Sequence, residues 1–457
     1  MDNQTLYIKT KPSRLFMKAA IPGAISMLAS SLYTVFDSMF VGKFLGTTAF
    51  AALGLAMPLI VINFALADLV GVGSSVPISI FLGKRKDKEA NNYFTAATLL
   101  IILTGLLSGI LIYIGAPFFM KLMGAEGELL ILSVKYTRVY AIFSPLITLN
   151  FAMDNFLRIC GRIKTSMFLN IFSSFATVLL ELLFILSFKW EIEGAALGTC
   201  VSMLITVSIG MALFFRKNMQ LKYVKPQFSG GMIGQIYKNG ISTFLTNIAG
   251  RVFSIVMNMM LLKFGGEAAV AVYGVVMTIA SIVEQLMYGL IDSLQPAIGY
   301  NYGADRIDRV KKIEKYIIIT AGVVSIAGGI VMFIFPGQIS THFLEDLSLL
   351  DMTILAVRIT SLSYLVRWIF SSIQGLFMAL EQPFPAMAIS ICSASVFPLI
   401  LTAVLLPFKL TGLWWNYTVT AFLTAILALI LFKKYKNKLF ILQYNDTVNE
   451  EESISKL

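Results

Sequence analysis

The sequence predicts an all-α integral membrane protein: twelve transmembrane helices, arranged as two pseudo-symmetric six-helix bundles (a parallel repeat) around a central cleft. Three observations predict it. Of 457 residues, 57% are hydrophobic and only 13% charged, whereas soluble domains carry about a quarter charged. Twelve apolar runs each reach the ~20 residues that a helix needs to cross the hydrocarbon core. The two halves of the chain match one another at a single constant offset, the one that carries Gly46 onto Gly266.

The apolar runs cover roughly 15–42, 49–82, 93–123, 128–154, 165–188 and 193–216 in the first half. Those of the second half cover 235–264, 268–299, 313–337, 351–379, 384–407 and 411–433. Several exceed the minimum span, so tilt or extension beyond the bilayer is expected. The first run is too long for the apolar core of a cleavable signal, and the segment before it is polar and basic. The first helix is therefore expected in the mature protein.

Basic residues set the orientation. Six clusters in alternate loops and at the two ends hold 25 Lys and Arg, among them Lys84, Arg85, Lys86 and Lys88. The opposite loops hold five: Lys43, Lys121, Lys189, Lys263 and Lys409. Positive charge stays in the cytoplasm, which places both termini there. The net charge of +11 thus follows from membrane topology, and no nucleic-acid partner is expected. The organisation expected is a cytoplasmic N-terminal segment (1–14), an N-lobe (15–216), a polar cytoplasmic linker (217–234), a C-lobe (235–433) and a disordered cytoplasmic tail (434–457).

The internal repeat pairs Lys43-Phe44 with Lys263-Phe264, Gly46 with Gly266, Gly54 with Gly274, Gly83 with Gly303 and Arg138 with Arg358. Six helices per half bring the second half in on the same side as the first, so the pseudo-twofold axis lies along the membrane normal. Two such lobes enclose a cleft near the midplane, an architecture suited to alternating access. Arg138 and Arg358, being duplicated, read as scaffold at helix ends. The remaining intramembrane charges are not duplicated, which marks them for work specific to one lobe.

A charge inside a spanning helix costs several kcal/mol unless paired or wet, by a contested scale of about 3 kcal/mol upward. Asp37 lies deep in the first helix, with Tyr33 four residues earlier on the same face. Thr177 and Glu181 repeat that spacing in the fifth. Two carboxylates converging in one lobe would share a proton, as a proton-coupled step requires; a helix–helix hydrogen-bond cluster is the plainer reading. Asp68 precedes the small residues GVGSS, which permit close packing, and is either structural or part of a site. In the eighth helix Glu284, Tyr288 and Asp292 form an i, i+4, i+8 stripe. With Arg251 and Arg367 in the seventh and tenth helices, they are expected to make two acid–base pairs. Such pairs are either structural or a cation-binding and gating network on the cleft. Pro22 removes a backbone donor from the first helix and makes a kink or hinge there. Most of the 22 Met and 35 Phe belong to core or lipid-facing positions, and a minority can line a pocket that adapts to varied ligands.

Little points to catalysis. Cys160, Cys200 and Cys392 lack metal or redox spacing and read as buried small hydrophobes. The single His342 sits in a polar loop beside Glu345 and Asp346. No nucleophile–base pair or nucleotide loop is apparent, so no enzyme, metal site or cofactor is expected.

Five stretches carry a family resemblance: YTVFDSMFVGKFLGTTAFAALG (33–54), GVGSSVPISIFLGKRK (71–86), LRICGRIKTSM (157–167), GAALGT (194–199) and QPAIGYNYGADRIDRVKK (295–312). With them the chain resembles the multidrug and toxic compound extrusion (MATE) family, nearer its MepA-like bacterial branch, from about Arg14 to Lys434. The resemblance implies two six-helix bundles around a V-shaped cleft. It implies a bacterial plasma-membrane antiporter, monomeric in the lipid bilayer, exporting small organic cations or drugs against inward H+ or Na+. Asp37 falls on the family's first-helix acidic position and Tyr33 on its companion. The family's fifth-helix Asn and Asp are Thr177 and Glu181 here, and Thr199 falls on the sixth-helix hydroxyl position. A Na+ site near Asp37 would want more neutral oxygens than a proton does. Asp292 departs from the family, whose stretch before QP is uncharged. A lipid-linked precursor flippase of the same superfamily is the alternative, although those carry extra helices and a strongly cationic cleft. A membrane receptor or enzyme is a third, more distant reading.

Overall fold

The computed structural model describes residues 5–216, 219–344 and 346–441, leaving aside the side chains of residues 5, 32–43, 47, 438, 440 and 441. All regular structure among them is helical. The first bundle comprises α1 (Pro12–Leu45), α2 (Thr47–Gly83), α3 (Asp87–Leu122), α4 (Gly127–Ile159), α5 (Ile163–Leu182) and α6 (Glu191–Phe214). A 63-residue stretch, Gly230–Asp292, then breaks at Gly266 into α7 (230–265) and α8 (267–292), and Gln295–Gly303 carries the path of α8 onward. The second bundle is completed by α9 (Ile307–Ile334), α10 (350–379), α11 (Pro383–Val404) and α12 (Lys409–Ile441).

These twelve helices are the twelve apolar runs. Ten stretches of the described residues are long and apolar enough to cross a membrane, and one of them, Gly230–Gly303, is long enough for two. Outward side chains on α3 such as Leu111, Ile114 and Leu122 are 69%, 72% and 73% exposed, a surface that lipid must cover. The helices α3 and α9 extend furthest ahead of their apolar runs, starting at Asp87 and Ile307. Acidic residues in their first turns, Asp87, Glu89 and Asp308, suit the positive end of the helix dipole. The α12 helix continues to Ile441, so the start of the expected disordered tail is helical. Residues 442–457, Lys217, Asn218 and Glu345 lie outside the described residues.

Each lobe opens with a helix hairpin that turns at one glycine. Gly46 has φ 87°, ψ 177° and Gly266 has φ 66°, ψ −165°, a region that side chains with a Cβ rarely enter. The two glycines are equivalent positions of the internal repeat, so the duplicated turn visible in the sequence is duplicated in geometry.

The lobes meet through backbone held close by small residues. A Cβ on Gly83 would collide with the Tyr300 carbonyl oxygen, and one on Gly303 with that of Ile80. Ile80 and Tyr300 are equivalent positions of the repeat, as are Gly83 and Gly303, so the pseudo-twofold axis passes between these segments. A Cβ would likewise drive Gly240 into the Leu69 carbonyl, Gly73 into that of Ile236, and Gly23 into that of Gly289. All these contacts lie in the half of the molecule that carries the basic loops. Toward the other end, Gly54, Gly250 and Gly274 have nothing within 4 Å of a notional Cβ. The lobes therefore pack at the basic end and part toward the opposite one.

Residues 219–229, ahead of α7, have no regular structure, yet they are fastened down. The backbone amides of Lys222, Val224 and Gln227 donate to Asn91 Oδ1, Thr95 Oγ1 and Asn92 Oδ1 of α3 at 2.8, 3.1 and 2.7 Å. Met219 and Leu221 are buried.

Candidate functional site

In the N-lobe Glu181 is 1% exposed, and the Thr199 hydroxyl donates to its Oε1 at 3.0 Å. The small residues of GAALGT make this approach possible. A Cβ on Gly198 would fall 2.5 Å from Glu181 Cγ and 2.7 Å from its backbone nitrogen, so the carboxylate-bearing turn of α5 rests directly on α6. The expected partnership of Thr177 with Glu181 is not formed. The Thr177 hydroxyl donates instead to the Ser173 carbonyl at 2.9 Å, as a short side chain in a helix interior readily does. Tyr33 and Asp37 fall within 32–43 and lie outside the described residues; the α1 helix that carries them packs against α5. Pro22 lies buried inside α1, whose helix continues through it.

Nearer the basic end lies a cluster that the sequence does not announce. Arg158, 3% exposed at its side chain, pairs with Asp154 at 2.6 Å. Asn170 Nδ2 donates to Asp154 Oδ1 at 2.8 Å and to Ser26 Oγ at 2.9 Å. The Ser166 hydroxyl donates to Asp154 and accepts from Arg158 Nε at 3.2 Å. In sequence Arg158 groups with the basic loop residues. The available signal was its i, i+4 spacing from Asp154 within α4. A cavity of about 10 Å³ beside it, lined in part by Asn150, Asp154, Ser166 and Asn170, has room for about one water.

In the C-lobe Glu284 and Arg367 form an ion pair at 2.7 Å. The Tyr417 hydroxyl donates to Glu284, and the Arg367 guanidinium stands 4.9 Å from the Tyr417 ring centre. Asp292 accepts from Gln295 Nε2 at 2.9 Å. It lies within electrostatic reach of Asp68, Asp154 and Arg158, so the stripe on α8 ends at the N-lobe cluster. Asp68 accepts from Asn247 Nδ2 of α7 at 3.3 Å, a contact between lobes. The second expected acid–base pair is absent among the described residues, because Arg251 is exposed and makes no ion pair there. It lies one turn beyond Asn247 on the same face of α7, where the lobes have already parted. Tyr288, on the turn between Glu284 and Asp292, is 39% exposed.

The duplicated arginines differ. Arg358 sits inside α10, in the last turn before its break at Leu362–Leu365. Arg138 lies well inside α4, 5.0 Å from the Tyr113 ring centre. Two further acids escaped notice in the sequence. Glu314 is 7% exposed with both carboxylate oxygens unpartnered among the described residues. Glu381, in the turn between α10 and α11, accepts from Gln235 and Asn239 of α7 at 2.9 and 3.0 Å. Burial lifts the Glu381 carboxyl above the usual carboxylate range, outweighing these donors and Lys84. A cavity of about 550 Å³ lies at the α7–α8 elbow, lined among others by Ile255, Asn258, Met259, Leu262 and Glu267.

Comparison with known proteins agrees with this architecture. The MatE family profile matches the chain twice, at residues 22–183 and 243–404, a displacement that follows the internal repeat. The chain is 27% identical over 450 residues to the multidrug export protein MepA of Staphylococcus aureus (strain N315), covering 96% of this chain and 98% of that one. It is 27% identical over 452 residues to the protein of the same name in Staphylococcus saprophyticus, with the same coverage. Among solved structures it resembles an outward-facing multidrug resistance MATE transporter of the MOP superfamily at TM-score 0.91 and 21% identity, covering 96% and 99% of the two chains. It also resembles a MOP superfamily transporter from Pyrococcus furiosus at TM-score 0.90 and 21% identity, covering 96% and 98%.

Proposed function

The chain belongs to the MatE family of membrane transporters, and from that premise we propose that it exports small amphipathic, mostly cationic compounds by alternating access in exchange for protons. The observation that carries this reading is Glu181, a carboxylate buried within a spanning bundle, held by Thr199 and seated on Gly198. A carboxylate so placed is costly to keep charged and can alternate between protonated and ionised forms. Asp37, on the neighbouring α1, completes the coupling site with Tyr33, while Thr177 shapes its wall. Protons are favoured over sodium because proton coupling needs only the carboxylates, whereas a sodium ion wants several neutral oxygens around them.

The basic loops are cytoplasmic by the positive-inside rule, so the V opens outward and this is the state from which cargo leaves. The C-lobe stripe of Glu284, Tyr288 and Asp292, with Asp68, Arg251 and Arg367, supplies the charged gate and the negative surface that receives a cation. Pro22 is the bending point of α1. The names of the staphylococcal relatives support multidrug export as the cargo class.

The test is dye efflux from proteoliposomes with proton and sodium gradients imposed separately. A proton gradient should drive export, and Asp37→Asn or Glu181→Gln should abolish it. Export driven by a sodium gradient alone would overturn the proton assignment. Undiminished efflux in both variants would remove the N-lobe site from the mechanism.

A further inference from the structure

The segment ahead of α1 is built into the seam between the lobes. Residues Thr5–Lys9 form a short helical turn in which Tyr7 is fully buried. On one side the Tyr7 hydroxyl donates to the Arg158 carbonyl at the end of α4. On the other side its backbone carbonyl accepts from Asn301 Nδ2 at 3.1 Å and from Arg309 Nη2 at 3.0 Å. Arg309 Nη2 also donates to the Thr10 carbonyl at 2.6 Å, and its Nε donates to Asn301 Oδ1 at 2.9 Å. The Tyr7 ring lies 5.3 Å from that of Tyr300, at the pseudo-twofold axis. One tyrosine therefore grips both lobes at the end where they are closed.

The arrangement has a counterpart. The segment ahead of α7 is hydrogen-bonded to α3, and α3 and α9 begin at equivalent positions of the repeat, Asp87 and Ile307. Each lobe's lead-in segment is thus fastened to the first helix after the hairpin of the opposite lobe. Opening the basic end moves α8 and α9 away from the α4–α5 turn. Tyr7 cannot follow both, so its contacts must break on one side.

We propose that residues 5–10 are a latch on the basic-end gate, whose hold by Arg309 sets how often that gate opens. This rests on the alternating-access reading above. The guanidinium makes charge-assisted hydrogen bonds to two consecutive turns of the latch, so losing it removes the strongest contacts on the C-lobe side.

Spin labels at Lys164 and Lys312, exposed on opposite lobes at the basic end, report the gate by double electron–electron resonance in a cysteine-free background. Cys160 reports it independently. It is buried beside Tyr7, and burial pushes its thiol up to about 12, so a water-soluble maleimide should label it slowly. Arg309→Ala should raise the long-distance population about tenfold and speed Cys160 labelling by a similar factor in a C200S/C392S background. Tyr7→Phe, which removes only the contact with Arg158, should act in the same direction and decides the matter if Arg309→Ala does not fold.

Unchanged distances overturn the latch, even with faster Cys160 labelling, since that would mean local uncovering without gate motion. Wild-type proteoliposomes that export no dye would remove the transporter reading instead. Export intact with distances unmoved by either variant would sink the latch alone.

Discussion

Gly198→Ala tests the proposed coupling site without removing a functional group from it. The new Cβ would lie 2.5 Å from Glu181 Cγ, 2.7 Å from its nitrogen and 2.9 Å from its Cα. Carbon atoms in contact settle near ~3.5 Å or more, so the shortfall is about 1 Å, and two of the three clashing atoms are backbone. Rotating the Glu181 side chain cannot relieve them, and α5 must move away from α6. The same displacement stretches the Thr199–Glu181 hydrogen bond from 3.0 Å to about 4 Å, beyond hydrogen-bond range. Overpacking costs about 1–3 kcal/mol, and a hydrogen bond to an ionised group contributes about 1.5–3 kcal/mol. One movement causes both, so we take about 2–4 kcal/mol, equivalent to roughly 30- to 1,000-fold in an equilibrium constant. The assay is proton-driven dye efflux as a function of pH, paired with thermal melting in detergent. Gly194→Ala is the control, because its Cβ would meet only the Phe184 and Trp190 side chains and Phe184 backbone at 3.2 to 3.3 Å. Thr199→Val should reproduce the weaker half of the effect. Wild-type efflux in Gly198→Ala, with melting lowered as calculated, would refute the reasoning: the site would be displaced and transport indifferent to it.

Arg367→Ala should destabilise the C-lobe by about 2 kcal/mol, less than the 3–5 kcal/mol typical of a stranded buried charge, because Glu284 and Arg367 remain 23% and 14% exposed. Adding Glu284→Gln should recover most of that loss in thermal melts, and a double variant worse than the single one would show that the pair is not the unit. Glu381 supplies a pH dependence. Its raised carboxyl favours the protonated folded form, so its contribution is fully present below the unfolded carboxylate range and is lost as pH rises through the folded value. Melting of Glu381→Gln should therefore gain on the wild type as pH is raised through that window, and parallel melting curves at all pH values would contradict it.

The twelve spans are legible because lipid allows few backbone solutions and imposes one length. The duplication is legible because glycines at contact points leave little choice of residue: Gly83 and Gly303 touch across the axis that their spacing implies. What escaped the sequence is held by partners distant along the chain. The break in α10 at Leu362–Leu365 contains neither Gly nor Pro. It persists because Ser325 of α9 donates to the Tyr364 carbonyl at 2.6 Å and the Tyr364 hydroxyl donates to the Ala280 carbonyl at 2.8 Å. The same holds for the sites. Glu181 stands out as an acid in an apolar run, and Thr199 meets it as its family position implies. Thr177 looks like a companion by spacing but turns to its own backbone. The pairing of Glu284 with Arg367 rather than Arg251 depends on how far the lobes have separated at each turn, which no spacing records. Glu314 is hidden in the sequence by the basic run around it, and Tyr417 by the absence of any charge.

The single-glycine turns at Gly46 and Gly266 leave no slack between the helices they join. A hairpin with a loop can absorb a displacement of one arm; these two must pass it on, so each behaves as a stiff lever running the depth of the bilayer. The consequence is practical as well. An epitope tag or fluorescent protein inserted at either glycine would uncouple the two arms, whereas the turn at 123–126, in which Gly124 meets nothing within 4 Å, joins α3 and α4 at the ends remote from their contacts with the opposite lobe. Reporters intended to leave the gate undisturbed belong there.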